Sequence, residues 1–273
     1  MTRMLVTGAG GFVGRHILRA SSEFDCKVIP VVRFGKEDSI EKLPNIERVV
    51  SSPNIFQENE TWWKEQCKDI DIVLHVAWYT NPADYLQSSK NIDCLIGSLV
   101  LAKGLMESGV KRFVGIGSCF EYDLSERRLS IETPLKPSSL YASSKTALFN
   151  ILSEWLPQSS IDFAWCRLFY LHGEGEDSRR LVPYIRNQLK RGLPAKLTAG
   201  TQTRDFLDAV EAGKKIVKAA LNQDIGPINI CSGIPITVNQ LANQIADEYE
   251  RRDLLRFGTR PMNHTDPPFV VGI

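Results

Sequence analysis

The sequence predicts an α/β fold, a doubly wound parallel sheet followed by a small α/β cap toward the C-terminal end. Three observations carry the prediction. Short apolar runs without polar alternation are separated by helical patterns through the first two thirds of the chain. A glycine-spaced turn joins the first apolar run to the first helix, and the texture changes near residue 170. Strands that lack alternation are those buried on both faces, as in a parallel sheet covered by crossover helices. Right-handed crossovers then give the doubly wound arrangement.

Taken in order, residues 3–7 read as a strand, 13–22 as a helix and 27–33 as a second strand. A weaker helical pattern at 61–68 precedes a buried strand at 70–75 (IDIVLH) and a long helix at 88–108. A strand at 112–116 (RFVGI), a helix at 139–155 and a strand at 163–168 follow. Beyond residue 170 a basic helix at 179–191 ends at Gly192 and Pro194. A helix at 209–221, a strand at 228–230 and a helix at 238–251 complete the pattern. That is too little for a second independent domain. It reads as a cap over 171–273 that is interleaved with a first domain over 1–170, to which about 203–232 also contribute. The run 267–273 is apolar and has no closing helix, which reads as a truncated end.

A chain of 273 residues can bury a full apolar core in one large domain or two modest ones. Basic and acidic side chains number 33 and 32, for a net charge of +1, which argues against nucleic acid or an anionic membrane as main partner. No apolar run reaches the ~18 residues of a spanning helix, and no signal-peptide pattern opens the chain. The six cysteines are scattered without C-x-x-C pairs, and the four histidines do not cluster with them. Reduced thiols in a cytoplasmic protein, and no metal site, are the expectation.

The first strand runs into Thr7-Gly8-Ala9-Gly10-Gly11-Phe12-Val13-Gly14 and then a helix. In the spacing Gly8, Gly11, Gly14, one glycine permits the tight turn, one lets backbone approach a pyrophosphate, and one allows close helix packing. The helix N-terminus offers free N–H groups and the positive end of its dipole to the phosphate. The bland alternative is a flexible turn, and the placement between strand and helix argues against it. The second strand ends in Arg33-Phe34-Gly35-Lys36, where an acid ordinarily holds the ribose 2′-hydroxyl. An arginine there attracts a 2′-phosphate, so NADP is expected over NAD. The competing reading of Arg33 is a solvated loop residue stacked on adenine.

Tyr141-Ala142-Ser143-Ser144-Lys145 opens a helix, and four-residue spacing puts Tyr141 and Lys145 on one face. A phenol titrates near pH 10, so lowering it by about three units takes roughly 4 kcal/mol, which a neighbouring ammonium in a desolvated cleft can supply. One Y-x-x-x-K among seven tyrosines is unremarkable by itself. Ser118 raises its weight, because the strand at 112–116 delivers that hydroxyl to the carboxyl edge of the sheet, where ligands bind. Alone, Ser118 reads as a turn cap; beside Tyr141 it reads as a donor to a substrate oxygen.

With these residues in order, the sequence resembles the extended short-chain dehydrogenase/reductase family, the NAD-dependent epimerase/dehydratase type that modifies sugar nucleotides. The resemblance spans roughly residues 3 to 270. Leu5-Val6-Thr7-Gly8 through Gly14 is similar to T-G-x-x-G-x-x-G, and His75-Val76-Ala77 to the H-x-A turn beside the cofactor. Asn91 with Gly97 resembles N-x-x-G-T with a changed gap. Tyr141, Lys145 and Ser118 match the catalytic group, and Thr203-Arg204-Asp205-Phe206 the segment whose arginine meets the nucleotide diphosphate. The resemblance implies a Rossmann domain, a nicotinamide cofactor and a homodimer formed through the helices at 88–108 and 139–155.

The departures bear on substrate. Dehydratases of the family carry Asp-Glu after the catalytic threonine, and here those positions are Cys119 and Phe120, which argues against loss of water. The substrate-contacting asparagine of R-x-F-N-x-Y-G is Tyr170, within Arg167-Leu168-Phe169-Tyr170-Leu171-His172-Gly173. The acid that follows the third strand is missing from Ser51-Ser52-Pro53-Asn54, leaving Ser52 or Asn54 in its place. The expected activity is reduction of a nucleotide-linked 4-keto-6-deoxyhexose, with Tyr141 giving the proton, Ser118 polarising the carbonyl and Lys145 holding the nicotinamide ribose. Arg204, with Arg179 or Arg180, is expected to clamp the diphosphate; the competing reading of the latter two is a solvated helix start. A 4-epimerase with retained NAD is the alternative enzyme. A dinucleotide-sensing regulator is the third reading, and the presence of both Tyr141 and Lys145 argues against it.

Overall fold

A computed structural model describes residues 1–262 and 266–273. β1 (Thr2–Thr7) leads through the glycine turn into α1 (Phe12–Ser21), followed by β2 (Cys26–Arg33), β3 (Val50–Ser52) and α2 (Glu60–Gln66). Then come β4 (Ile72–His75), α3 (Lys90–Leu105), β5 (Arg112–Ser118), the short β6 (Arg128–Leu129) and α4 (Leu140–Trp155). β7 (Asp162–Leu168), β8 (Tyr170–His172), α5 (Leu181–Lys190), β9 (Ala195–Lys196) and β10 (Thr203–Asp208) lead to α6 (Ala209–Leu221). β11 (Gly226–Ile230), β12 (Pro235–Thr237), α7 (Val238–Asp247), β13 (Leu255–Arg256) and β14 (Phe269–Gly272) close the order.

Seven strands form one sheet in the order β11-β7-β5-β4-β1-β2-β3, and every pairing in it is parallel. The continuous apolar runs follow from burial on both faces. One face carries α1 and α6, with Ile17 and Ile216 packed in the same cluster as Val6 and Leu74. The other carries α2, α3 and α4, where Leu101 and Leu148 meet Val73 and Phe113. The chain passes outward from β1 to β3, then returns to place β4 on the other side of β1. The crevice above the carboxyl ends of β1 and β4 is therefore the topological switch point, where such sheets bind ligands.

A second sheet has the order β12-β10-β14-β6, with β8 beside β10, and β9 pairs with β13. α5 and α7 cover a separate small core that includes Ile185, Leu189, Leu241 and Ile245. α6 and β11, although late in the sequence, join the first sheet and its cover, as the strand expected at 228–230 implies. The apolar run 267–273 is paired: Phe269 of β14 stands opposite Thr203 of β10. The basic helix starts at Leu181 rather than 179, because Arg180 is still extended at the N-cap position.

Candidate active site

The glycine turn is built as its spacing demands. Gly8 has φ +67°, and a Cβ there would lie 2.7 Å from the Ala77 nitrogen, so the turn packs against the end of β4. A Cβ on Gly14 would strike the Gly8 carbonyl and lie 2.7 Å from Ala9 Cα, so α1 approaches the turn as only glycine permits. The Gly11 N-cap of α1 supplies no side-chain bond, and no acid lies in the first turn. The free N–H groups therefore face the cleft with their dipole uncompensated, a cradle that fits a pyrophosphate.

Beneath the turn lies a closed hydrogen-bond relay. His75, 3% exposed, has Nδ1 2.8 Å from Thr7 Oγ1 and Nε2 2.8 Å from Ser98 Oγ. Ser98 spends its own proton on the Cys94 carbonyl at 2.6 Å, so it must accept from His75 Nε2–H. Thr7 then donates to Nδ1 while its oxygen accepts the N–H groups of Val76 and Ala77 at 3.1 and 3.2 Å. Only the neutral ring fits this pattern. Burial, seconded by the Lys145 charge, accordingly pushes His75 down to about 3.

The catalytic candidates meet at the carboxyl edge of β5. Ser139 caps α4 by accepting from the Ala142 N–H at 3.2 Å, which fixes Tyr141 in the first turn and Lys145 one turn later. Lys145 is buried and donates from Nζ to the Ile116 carbonyl at 2.6 Å. Tyr141 packs its ring edge-on against Tyr85, with centroids 5.1 Å apart. Ser118 accepts from the Phe120 N–H at 3.2 Å, and Glu121 in turn accepts from the Ser118 N–H at 2.6 Å.

The expectation that Lys145 makes the phenol acidic is not met in the free protein. Burial pushes Tyr141 up, Tyr85 and Glu121 add to the rise, and Ser118 alone among the main influences opposes it. The sequence shows a helical spacing but not the enclosure. Lys145 is itself driven well below the ordinary lysine range by burial, against the pull of Glu121. Tyr141 is thus held as a protonated phenol.

One cleft of about 1040 Å³ joins these parts, roomy enough for a dinucleotide and a second ligand. Gly8, Gly10, Gly11, Phe12, Val13 and Gly14 line one end, with Arg33, Lys36 and Ala77. His75, expected at the cofactor, is buried and does not line the cleft. Ser118, Cys119, Phe120, Tyr141, Lys145 and Tyr170 line the middle, and Arg204 the far end. Arg204 is 2.7 Å from Asp266 and its guanidinium lies over the Tyr170 ring at 5.2 Å. Arg180 lines the cleft above Tyr85, whereas Arg179 is turned onto Asp177 at 2.7 Å and does not. Asn54 lines the cleft, while Ser52 is buried and donates to Glu58 at 2.5 Å.

Sequence reading missed Trp78, Tyr85, Glu121, Glu176 and Asp266. Glu121 is fully buried and paired to Arg167 at 2.9 Å, with Trp165 Nε1–H donating to it at 3.0 Å. Arg167 was the available signal: a charge inside the apolar run FAWCRL requires a partner. Glu176 lines the cleft, and burial pushes its carboxyl to about 7 against the pull of Arg180. Among the described residues no group of His, Cys, Asp and Glu is arranged to hold a metal ion, and no helix is long and apolar enough to cross a membrane.

Comparison with known proteins agrees with this geometry. Residues 4–231 match the model of the NAD dependent epimerase/dehydratase family. The chain is 20% identical to a dTDP-6-deoxy-L-talose 4-dehydrogenase (NAD(+)) of Aggregatibacter actinomycetemcomitans, with 98% of both chains covered. It is 25% identical to the human dTDP-D-glucose 4,6-dehydratase over 89% of this chain and 73% of that one. A UDP-N-acetylglucosamine 4-epimerase from Methanobrevibacter ruminantium M1 superposes with a TM-score of 0.88 at 22% identity, covering 100% of this chain and 89% of that one. With its glycine cradle, its parallel sheet and its tyrosine–lysine helix, the chain belongs to the NAD dependent epimerase/dehydratase family of enzymes.

Proposed function

We propose that this enzyme is a nicotinamide-dependent oxidoreductase that reduces the 4-keto group of a nucleotide-linked 6-deoxyhexose, with NADP preferred over NAD. The observation that carries the reading is the neighbourhood of Ser118. Tyr141 and Lys145 converge with it in the cleft, while the next two residues, Cys119 and Phe120, bring no carboxylate for removing water. The end-to-end alignment with a 6-deoxyhexose 4-dehydrogenase supports the same bond.

The residues divide the work as follows. The turn Gly8–Gly14 and the free N–H groups of α1 hold a pyrophosphate, and Arg33 with Lys36 meets a ribose 2′-phosphate. Bound there, the dinucleotide supplies the hydride. Lys145 holds the nicotinamide ribose. Ser118, whose oxygen already accepts the Phe120 N–H, directs its own proton to the sugar carbonyl. Tyr141, kept protonated by burial, gives its proton as the oxygen gains charge, which suits reduction. Arg204 meets the diphosphate, and Tyr170 takes the place of the usual asparagine. Six buried, unpaired thiols fit a reducing cytoplasm. Ile92, Ile96 and Ile151, exposed on α3 and α4, form the face on which we place the homodimer.

The test is incubation with NADPH or NADH and a panel of nucleotide-linked 4-keto-6-deoxyhexoses, with products identified by mass. Gain of two hydrogens with matching loss of reduced dinucleotide is expected. Turnover of a 4-hydroxy sugar at constant mass, with no added dinucleotide, would assign a 4-epimerase instead.

A further inference from the structure

The Lys145 ammonium is almost wholly withdrawn from water, and its hydrogen bond goes to a neutral carbonyl, Ile116 O. Two aromatic rings also face it. Nζ lies 3.7 Å from the Trp78 ring centroid and 5.8 Å from that of Trp165. Both indoles are fixed. Trp78 Nε1–H donates to Asn91 Oδ1 at 2.8 Å, and the Asn91 amide donates to the Tyr85 and Ser88 carbonyls at 2.6 and 2.8 Å. Trp165 Nε1–H is held by Glu121. The Val76 and Ala77 N–H groups, bonded to Thr7, pin the backbone just before Trp78.

We propose that Trp78 is a positioning residue that keeps Lys145 an ammonium and holds it at the edge of the cleft through the face of its indole. The inference deepens the proposed function, in which Tyr141 gives its proton beside Lys145, and rests on it for its catalytic meaning. A π face attracts the charged lysine and not the neutral amine, so it opposes the effect of burial. The other groups facing Lys145 come from four elements. Tyr141 stands one turn back on α4, and His75 from β4 is neutral. Cys94 from α3 is a thiol that burial holds protonated, and Glu121 from the turn after β5 favours the ammonium. Trp78 holds its ring face 3.7 Å from Nζ, a fixed group that favours the ammonium over the neutral amine.

The experiment titrates Lys145 directly, without any substrate, so its outcome is independent of which sugar the enzyme takes. Lysines are labelled with ¹³C at Cε, the Lys145 resonance is identified by its loss in Lys145→Met, and its midpoint is followed in the parent, Trp78→Phe and Trp78→Leu. The leucine variant is expected to titrate lower by about one pH unit, and the phenylalanine variant by less, since its ring retains part of the attraction. The pH profile of kcat/KM should move in step with these midpoints. A midpoint that is unchanged or raised in Trp78→Leu overturns the proposal. If the leucine variant does not fold, Trp78→Phe decides alone: a lowered midpoint supports the proposal and an unchanged one overturns it.

Discussion

Acidification from pH 7 to pH 5 tests the neutral ring of His75. Its ring accepts from Thr7 at Nδ1 and donates to Ser98 at Nε2, and a second ring proton would point at a hydroxyl that already donates. The folded value of about 3 lies below the ordinary 6.5, so the unfolded chain takes up the proton first. Stability is therefore full above pH 6.5 and is lost as the pH falls from there toward 3. At pH 5 the loss from this one group is about 2 kcal/mol, against a few tenths at pH 7. Urea unfolding of the parent and His75→Gln at both pH values isolates it, because the surface carboxylates are common to both. The variant is expected to start less stable at pH 7, yet to lose about 2 kcal/mol less than the parent on acidification. Equal losses would refute the neutral-ring assignment, and with it the account of how Val76, Ala77 and Trp78 are held.

The remaining expectations are more local. Gly14→Ala drives a Cβ into backbone of the turn and should cost about 1–3 kcal/mol, whereas Gly10→Ala, whose nearest neighbour is Ser39 Oγ at 3.5 Å, should unfold at the parent's urea midpoint. Tyr141→Phe keeps the packing against Tyr85 and removes only the hydroxyl, so kcat should fall by about 10²–10⁴ with dinucleotide affinity unchanged, as read by turnover and fluorescence titration. Arg33→Ala should weaken NADPH by about tenfold and leave NADH nearly unaffected in the same titration; equal affinities of the parent for both would defeat the NADP preference. Glu121→Gln leaves the buried Arg167 charge unpaired and should cost about 3–5 kcal/mol in equilibrium unfolding.

The parts of the site that local geometry dictates were legible in the sequence. Gly8, Gly11 and Gly14 are a backbone requirement, and Tyr141 and Lys145 are a helical spacing. Ser118 follows from the end of an apolar strand. Arg167 signals that a buried partner exists but not which one, because Glu121 lies 46 residues away and only the sheet brings them together. Trp78 and Tyr85 escaped for the same reason: their meaning lies in Lys145 and Tyr141, which approach from another helix. The raised phenol of Tyr141 depends on enclosure, which spacing does not encode. The cap was least readable. Its strands β8, β9, β12 and β13 have two or three residues, too short to carry a period.

Glu121 and Arg167 also explain how the serine is fixed. A buried ion pair by itself is a poor stabiliser, since desolvation takes back most of the attraction. This one holds a backbone. Glu121 accepts the Ser118 N–H on one oxygen and Arg167 Nε–H on the other, while the Trp165 indole N–H reaches both. Every group facing the carboxyl is a donor, so the ionised form is the one that fits. Arg167 continues to the Tyr122 hydroxyl, which donates to Asn229 on β11. The chain of contacts thus runs from the outer strand of the sheet to the catalytic edge. Gly117 belongs to it, since a Cβ there would lie 2.5 Å from Glu121 Oε1. Ser118 is therefore positioned from inside the sheet by its main chain. Its oxygen accepts the Phe120 N–H, and its hydroxyl proton is left for the cleft.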